Sequence, residues 1–383
     1  MASINDYLRW RGDLLFDERP FNDVDNVVLS LLSYVGFWNI IPSEAQGGGI
    51  RLADACDLLL KRAGSNLAAH LYTLAAIDRE FLELLEASAR FADVWLSAYV
   101  DIVNKSAPLQ FAAFTADLPN GECYVAFRGT DNTIAGWRED FMLSFTTTAA
   151  QRRAKGYLQR ALQHTADRDA PVRVGGHSKG GNLAEYAARY CTADQRSRIV
   201  CVYSNDGPGM EPAVFAQDPA MAADVNVRRI IPTFSVVGSL FIKDLGSSII
   251  VKSSARGIEQ HDPTTWQVVC DGMDEAPCLL PECVDLNEAI ATWTCKLSLK
   301  ERKSVIDDIF DALDAAGAQK LDDIASSPDK LQRVLSALGK TNERSREVVL
   351  SLVPCALESS VTSIRKAAKK TFARLLSGDD EQG

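Results

Sequence analysis

The stretch that most constrains the fold of this chain is residues 172–190, VRVGGHSKGGNLAEYAARY. A short apolar run precedes four glycines that surround one serine, and an Ala-rich helical pattern follows. Residues 176–180 match G-x-S-x-G, the pattern of a sharp strand-to-helix turn that exposes a nucleophilic serine. The residues two before and two after that serine must lack a Cβ, because backbone and helix pass close to them. We therefore expect Ser178 to be a nucleophile on such a turn; the alternative is a glycine-rich loop that binds phosphate.

Short β-rich runs alternate with helical patterns from residue 109 to about residue 275. Two of these runs flank Asn120-Gly121, a strong signal for a β-hairpin. The later runs are VRVGG, RIVCVYSNDG, IIPTFSVVG and SSIIVKSS, with helices predicted from Asn182 and over residues 210–222. Strands that alternate with helices form a mostly parallel sheet, so the sequence predicts an α/β fold.

The chain divides by pattern into three regions. We expect residues 1–105 to form a helical N-terminal region that packs on or caps the core, and residues 106–297 to form the α/β core. Residues 298–383 should form a helical C-terminal extension with a disordered tail. Within the first region, the Leu- and Ala-rich residues 78–100 indicate helix. The most apolar run, residues 27–41, is either a lid over the site or, as we favour, a segment packed against the core sheet.

Composition excludes several classes of function. The formal net charge of -10 argues against a general nucleic-acid binder, because neutralising phosphates requires a basic surface. Charged residues near the N-terminus do not fit a signal peptide, and the longest apolar run is shorter than the roughly 20 residues of a membrane span. Nine scattered cysteines without a C-x-x-C motif predict reduced thiols in a cytoplasmic protein. No metal or organic cofactor is implied.

A serine hydroxyl needs a base to act as a nucleophile, and the chain has four histidines. His177 adjoins the serine, and neighbours on so tight a turn point apart. His261 lies on a polar loop after the last β-rich run. Because the α/β-hydrolase order along the chain is nucleophile, acid, histidine, we predict that His261 is the base. The alternative is a surface histidine on a loop.

Two aspartates compete for the acid that orients His261. The usual position follows the second strand after the helix, and that stretch offers no carboxylate before Asp244. One strand earlier, Asp206 stands directly at a strand end, ahead of a turn with two glycines and a proline. We therefore predict the triad Ser178, Asp206 and His261, with Asp244 as the alternative acid. An aspartate before glycine also commonly stabilises its own turn, which is the other interpretation of Asp206.

The negative charge that develops on a substrate oxygen requires hydrogen-bond donors aimed at it. The predicted oxyanion donors are the backbone N–H of Lys179, directly after the nucleophile, and Thr130, at the end of the hairpin's second strand. Arg128 and Asp131 either pair to hold the Thr130 loop or form an ordinary surface ion pair.

Two sets of motifs carry a family resemblance. VAFRGTD, followed about 50 residues later by GGHSKGGNLA, resembles the class-3 (fungal-type) triacylglycerol lipases, in which F-R-G-T supplies an oxyanion donor and G-H-S-x-G-G the nucleophile. A second set of segments resembles the bacterial family called domain of unknown function 2974, which is grouped with the α/β hydrolases. These segments are DYLRWRGDLLF, PFNDVDNVVLSLLSY, FRGTDNTIAGWREDF, GHSKGGNLAEYAA, NDGPGM and QHDPTTWQV. This resemblance covers roughly residues 5–330. It implies an α/β-hydrolase fold with Ser178 as its nucleophile.

The chain departs from the class-3 lipases at Lys179, where those lipases usually have leucine. A cation beside the nucleophile either favours an anionic substrate or is a solvated surface lysine, and we favour the second interpretation.

These residues together predict a serine acyl hydrolase of the esterase, lipase or lysophospholipase type, acting on a small-molecule or lipid ester through an acyl-enzyme. The alternatives are a non-catalytic fold that binds a ligand or a protein, and acyl transfer or amide hydrolysis by the same triad. Residues 363–376 combine an apolar stripe with several lysines and arginines. That pattern is found in surface helices that contact anionic lipid, and more often in helices with a merely solvated face.

Overall fold

In a computed structural model of the chain, the described residues are 2–72, 76–104, 109–130, 138, 142–143, 146–210, 218–222, 224–242, 245–295, 297–317, 333–334 and 336. Contacts divide the chain into two compact units. The first consists of Met1–Asp131 and Leu143–Val284, and the second of Asn132–Met142 and Asp285–Gly383. The boundaries expected at residues 105 and 297 stay predictions.

An eight-stranded sheet forms the centre of the first unit, and its strand order follows the sequence. The strands are β1 (Gly49–Arg51), β2 (Trp95–Asn104), β3 (Leu109–Asp117), β4 (Cys123–Phe127), β5 (Val172–His177), β6 (Ile199–Asn205), β7 (Val227–Pro232) and β8 (Ile249–Val251). Neighbours from β1 to β4 pair antiparallel, and neighbours from β4 to β8 pair parallel. A two-stranded sheet of β9 (Val268–Val269) and β10 (Gly272–Met273) follows. The predicted mostly parallel α/β sheet is confirmed.

Within the described residues, helices lie before β1, between β1 and β2, between β4 and β5, between β5 and β6, and after β10. They are α1 (Ile4–Arg11), α2 (Asp23–Leu32), α3 (Leu52–Ala63), α4 (Arg79–Ala87), α5 (Ala149–His164), α6 (Lys179–Arg189), α7 (Ala193–Ser197), α8 (Pro281–Cys295) and α9 (Leu299–Ala315). Local sequence starts several of them. Ser3, Asn22 and Thr148 each form a capping box that satisfies the free N–H groups of the first turn.

Helices cover both faces of the large sheet. Successive residues of a strand point to opposite faces, so Phe114 and Tyr124 pack with residues of α1 to α4 in one buried cluster. Ala113 and Val125, one position away in each strand, pack with residues of α5 and α6 in another. A mostly parallel sheet with a helical layer on each face is the arrangement of the α/β-hydrolase fold.

The hairpin predicted at Asn120-Gly121 is confirmed. β3 and β4 pair antiparallel, with Asp117 opposite Cys123, and Gly121 has a φ of 86°. That positive φ is the conformation in which glycine is favoured in tight hairpin turns.

Residues 27–41 belong to the core and are not a lid. Val27, Val28, Leu29, Leu31 and Leu32 are completely buried on α2. The lid interpretation is therefore wrong, and packing against the sheet is confirmed. Burial of such an apolar run in the core removes much apolar surface from water, which a mobile lid would not achieve.

Polar side chains on α2 tie the helix to the carboxyl end of β6. Asn26 Nδ2 donates to Asn205 Oδ1 at 2.8 Å, and Asn205 Nδ2 donates to Ser30 Oγ at 2.9 Å. The Tyr124 hydroxyl donates to Asn26 Oδ1 at 2.8 Å. Because these buried groups satisfy one another, α2 can bury its polar residues together with its apolar ones.

The helix predicted over residues 78–100 is wrong in its second half. Helix α4 ends at Ala87, and Trp95–Asn104 is strand β2, antiparallel to β3. The Leu- and Ala-rich composition belongs to the helix, whereas the sequence WLSAYVDIV is rich in aromatic and β-branched residues that favour strands. Two further predictions lie outside the described residues: most of the helix over residues 210–222, and the helix over residues 363–376.

Within the part of the chain that is described, no helix combines the length and the apolar character needed to cross a bilayer.

A buried ion pair links α2 to the segment after α4. Arg90 Nε donates to Asp25 Oδ1 at 2.8 Å, and neither side chain exceeds 1% exposure. The Tyr7 hydroxyl also donates to Asp25 Oδ1, at 2.7 Å, and Arg90 Nη1 donates to the Leu14 carbonyl at 2.9 Å. Removing one member of such a pair leaves the other as an unpaired buried charge.

We expect Asp25→Ala to lower the free energy of unfolding by about 3–5 kcal/mol, because Arg90 would keep its charge in the core without a counter-ion. Asp93→Ala is the control, since it removes an exposed ion pair with Arg51 and should cost less than about 1 kcal/mol. Urea denaturation followed by circular dichroism measures both changes. Equal losses in the two variants would contradict the prediction.

Candidate active site

Ser178 lies at the turn between β5 and α6, where the sequence predicted it. Its φ of 57° and ψ of -129° are a conformation that residues with a Cβ rarely adopt. The Ser178 N–H donates to the Asn205 carbonyl at 2.8 Å, so the end of the neighbouring strand β6 holds the turn. Strained backbone of this kind persists where the surrounding structure enforces it, and it is concentrated at functional sites.

Two glycines let the turn pass the end of β4. A Cβ at Gly176 would lie 2.4 Å from the Phe127 carbonyl oxygen, and a Cβ at Gly180 would lie 2.2 Å from the same atom. Both distances are far shorter than van der Waals contact, and a backbone carbonyl within a sheet cannot move aside freely. This agrees with the expectation that the residues two before and two after Ser178 must lack a Cβ.

His261 ends a short 3-10 helix, Gly257–His261, and reaches the serine. The distance from His261 Nε2 to Ser178 Oγ is 3.1 Å, and the distance from His261 Nδ1 to Asp206 Oδ2 is 2.6 Å. An ionised carboxylate can only accept hydrogen bonds, so Nδ1 carries the proton and Nε2 accepts from the serine hydroxyl. The structure therefore brings the three residues predicted as a triad into one hydrogen-bonded chain.

Asp206 directly follows β6 and is 1% exposed. Its Oδ1 accepts from the Ser235 hydroxyl and, at 3.1 Å, from the Gly238 N–H. With the bond from His261, the buried carboxylate has a donor on each oxygen, as a charged group in the interior requires. A Cβ at Gly238 would lie 2.2 Å from Asp206 Oδ1, so only glycine fits there without a shift.

The other aspartates considered for the triad differ in position. Asp244 lies outside the described residues. Asp262, next to the histidine, turns its carboxylate elsewhere, because Oδ2 accepts from the Ala76 N–H at 3.0 Å and Oδ1 from the Thr264 N–H at 2.9 Å. These bonds fasten the loop of His261 instead of orienting its ring.

His177 is engaged at both ring nitrogens and cannot act as the base for Ser178. Its Nε2 donates to the His261 carbonyl oxygen at 2.8 Å, and its Nδ1 accepts from the Tyr34 hydroxyl at 2.9 Å. Burial, together with repulsion from His261, lowers the pKa of His177 well below its usual value. The ring is therefore neutral at neutral pH, in the tautomer that these two bonds require.

Further hydrogen bonds fix the loop of His261. The Gln260 side-chain oxygen accepts from the Thr233 hydroxyl at 2.8 Å and from the Phe234 N–H at 3.0 Å, just past the end of β7. Trp266, which is completely buried, donates from Nε1 to the Gln260 carbonyl at 2.8 Å. The imidazole is thereby carried on a loop that is anchored immediately before it.

The loop of Thr130 lies beside the strand-to-helix turn at Ser178, which we call the elbow. Thr130 is buried, and a Cβ at the preceding Gly129 would lie 2.6 Å from the His177 carbonyl oxygen. Lys179 is the first residue of α6. Both predicted oxyanion residues are thus on segments adjoining Ser178, and their role as donors stays a prediction.

Two interpretations of charged residues near the site are wrong. Lys179 is 1% exposed, so it is not a solvated surface lysine; the first turn of α6 is buried on all sides. Arg128 is also buried and pairs with Asp101, at 2.8 Å between Nη2 and Oδ1, so its ion pair is not at the surface. Asp131, its predicted partner, lies outside the described residues.

The sequence analysis did not assign Tyr34, Ser235 or Gly238 to the site, although all three contact it. The sequence could have indicated Gly238, because it occupies the position where the acid usually lies. A glycine at that position leaves room for a carboxylate from another strand end, such as Asp206. Tyr34 had no local signal, because it meets His177 across 143 residues of sequence. Among the described residues, no group of three or more His, Cys, Asp or Glu side chains is placed to hold a metal ion.

Three features define an α/β-hydrolase fold. They are the mostly parallel sheet, the strained serine between β5 and α6, and the histidine and aspartate that are hydrogen-bonded in a chain to that serine. The family model described as Mbeg1-like matches residues 85–311, which is more than half of the chain and contains Ser178, Asp206 and His261. The chain belongs to the Mbeg1-like family. No curated protein sequence matches it.

Solved structures that are similar to the chain are those of lipases. The Rhizomucor miehei lipase propeptide complex is 15% identical, with 66% of this chain and 74% of that one covered and a TM-score of 0.35. M37 lipase is 18% identical, with 56% and 68% covered and a TM-score of 0.34. Lipase II from Rhizopus niveus is 15% identical, with 60% and 90% covered and a TM-score of 0.30. Likeness at this level carries no argument about activity.

We expect Gly176→Ala to lower the free energy of unfolding by about 1–3 kcal/mol, because the new methyl group would overlap the Phe127 carbonyl. Gly156→Ala, within α5, is the control: its Cβ would meet only the end of the Arg160 side chain, at 3.4 Å. Alanine is the better helix former, so this variant should gain up to about 1 kcal/mol. Thermal and urea denaturation measure both, and a Gly176→Ala protein as stable as the wild type would refute the argument from the close contact.

Proposed function

We propose that this protein is a serine acyl hydrolase that cleaves carboxylic esters through an acyl-enzyme. The observation that carries the proposal is the hydrogen-bonded chain from Asp206 through His261 to Ser178. A serine alone on a sharp turn would be a weak nucleophile, whereas one whose hydroxyl donates to an oriented imidazole is activated. The order of the three residues along the chain is that of α/β hydrolases.

The proposed reaction has two steps. Ser178 Oγ attacks the acyl carbon while His261 Nε2 takes the hydroxyl proton, and the same nitrogen returns that proton to the leaving alcohol as the ester C–O bond breaks. Water then attacks the acyl-enzyme, with His261 again accepting and returning a proton, and the carboxylic acid leaves. Asp206 keeps the imidazole in the tautomer with Nδ1 protonated and stabilises the imidazolium that forms in each step.

We assign the oxyanion donors to the backbone N–H of Lys179 and to Thr130. Support comes from their positions: Lys179 begins α6, where N–H groups and the helix dipole favour negative charge. The Thr130 loop lies against the elbow through Gly129. These donors would act on the tetrahedral intermediate, in which the carbonyl oxygen carries the negative charge.

A non-catalytic role in binding is the rival class of function. Against it stands the strained φ of Ser178, which a binding module has no reason to maintain. The buried Asp206, held by donors in the orientation that an imidazole needs, is a second feature that binding does not require. Acyl transfer or amide hydrolysis would use the same three residues, with a different acceptor or leaving group.

The finer points of the proposal concern substrate, family and location. A small-molecule or lipid ester is the proposed substrate, and the motifs quoted above support membership of the bacterial domain of unknown function 2974 family. Free thiols are found at Cys56, Cys123, Cys191, Cys201, Cys270, Cys278 and Cys283, which fits a cytoplasmic location. Contact of residues 363–376 with anionic lipid is supported by their sequence pattern alone.

A fluorophosphonate probe tests the nucleophile directly, because it phosphonylates only an activated serine. We expect one label per wild-type chain and none in Ser178→Ala, with hydrolysis of acyl esters of graded chain length lost in parallel. His164→Ala, which alters an exposed histidine at the end of α5, should label normally. Label that persists in Ser178→Ala would contradict the assignment of Ser178 as the nucleophile. A folded wild type that neither takes up the label nor hydrolyses any ester would favour the binding function.

Replacing the acid tests the triad itself. We expect Asp206→Asn to keep the fold and to lose on the order of 10⁴ in kcat, because the amide favours the wrong imidazole tautomer. Asp244→Asn should leave the rate nearly unchanged. Steady-state hydrolysis of an activated ester measures both rates, and circular dichroism checks the fold. The reverse pattern would assign the acid to Asp244 and leave Asp206 as a turn residue.

A further inference from the structure

We infer that Tyr34 is a positioning residue for the reaction, whose hydroxyl aligns the His261 loop and the oxyanion loop with the nucleophile. This inference rests on the proposed function and extends it to a residue outside the triad. Three contacts of one buried hydroxyl carry the argument.

Tyr34 is itself held firmly. It follows α2 by two residues and is 2% exposed, at the end of the helix whose polar side chains bind the end of β6. Its carbonyl accepts from the Tyr72 N–H at 2.8 Å, and the next residue, Val35, forms a β-bridge with Leu71. Because its backbone is hydrogen-bonded and its ring lies in the core, Tyr34 has little conformational freedom. Its hydroxyl therefore has a fixed position.

The first two contacts of the hydroxyl are with the elbow and the oxyanion loop. The Tyr34 oxygen lies 3.3 Å from the carbonyl oxygen of His177, the residue before the nucleophile. A Cβ at Gly129 would lie 2.0 Å from the same hydroxyl oxygen, so the backbone just before Thr130 runs directly over it. The Tyr34 hydroxyl therefore limits how closely the Thr130 loop approaches the core.

The third contact passes through the His177 ring to the base. The His261 carbonyl can only accept, so His177 Nε2 must donate to it, and Nδ1 must then accept from the Tyr34 hydroxyl. The hydroxyl thus selects the tautomer of His177 that can bind the backbone of His261. The two histidine rings lie 4.5 Å apart between centroids. A hydrogen-bonded chain therefore leads from Tyr34, just after α2, through His177 to His261, the residue proposed to take the serine proton.

This arrangement predicts an effect on turnover rather than on substrate binding. Tyr34 is only 2% exposed, so we expect the loss of its hydroxyl to leave KM unchanged. The alignment of His261 with Ser178 would loosen, and misplacement of a catalytic group by a fraction of an ångström slows the chemical step.

The test compares Tyr34→Phe with the wild type on an activated ester. We expect kcat to fall about tenfold, as for one lost hydrogen bond of ordinary strength, with KM within about twofold and the rate of fluorophosphonate labelling reduced in parallel. Tyr157→Phe is the matched control. Its tyrosine is equally buried and its hydroxyl makes bonds of 2.9 Å to Thr115 and to the Ala98 carbonyl, on the face of the sheet covered by α5. This variant should lose stability but not kcat.

A double-mutant cycle with His177→Gln tests whether the two residues act in one chain. We expect Tyr34→Phe to cost less in the His177→Gln background than in the wild type, since the part of its effect that reaches His261 passes through the His177 ring. Losses that multiply, a Tyr34→Phe enzyme with normal kcat, or a change confined to KM would each overturn the inference while leaving the proposed function intact. A wild type without any activity or label would instead overturn the proposed function, and this inference with it.

Discussion

The site depends on the close approach of three backbone segments at the carboxyl end of the sheet. The carbonyl of Phe127 at the end of β4 occupies the space where side chains at Gly176 and Gly180 would lie. On the other side of β5, the carbonyl of Asn205 accepts the N–H of Ser178. The elbow is therefore confined between its two neighbouring strands, and the strained φ of the serine is the conformation that this confinement leaves. Strain of this size persists only because many packed contacts outweigh it.

Helix α2 supports this arrangement from one face of the sheet. Its apolar residues are in the core, while Asn26 and Ser30 bind the side chain of Asn205. The Asn205 carbonyl accepts the N–H of Ser178, and the next residue is Asp206. The segment that follows the helix brings Tyr34 to His177. The apolar run of residues 27–41, for which a lid was the less favoured interpretation, supports the site. Asn26 and Ser30 on this apolar helix could have indicated its role, since buried amides must find partners.

The position of Asp206, the proposed acid, follows from the groups that surround it. At the end of β6, Asp206 meets the Ser235 hydroxyl and the Gly238 N–H, which come from the segment after β7. That segment would hold the acid in the more usual arrangement, and it supplies donors to the carboxylate instead. The His261 loop is anchored at the same place, where Gln260 binds Thr233 and Phe234. His261 and Asp206 are thus both held in place by one short stretch of chain, residues 233–238.

Local pattern was enough to derive the elbow, the hairpin at Asn120-Gly121 and the alternation of strands and helices, because these depend on glycine positions and on periodicity within a few residues. The order of Ser178, Asp206 and His261 along the chain was enough to propose them as partners. Local pattern failed where the outcome depends on distant residues. It extended a helix into β2, whose pairing with β3 decides its conformation. It treated Lys179 as a surface residue and left a surface ion pair open for Arg128. The contacts of Tyr34 with Gly129 and His177 were decided by tertiary packing alone, since a hydrogen bond between residues so far apart leaves no trace in the spacing of either.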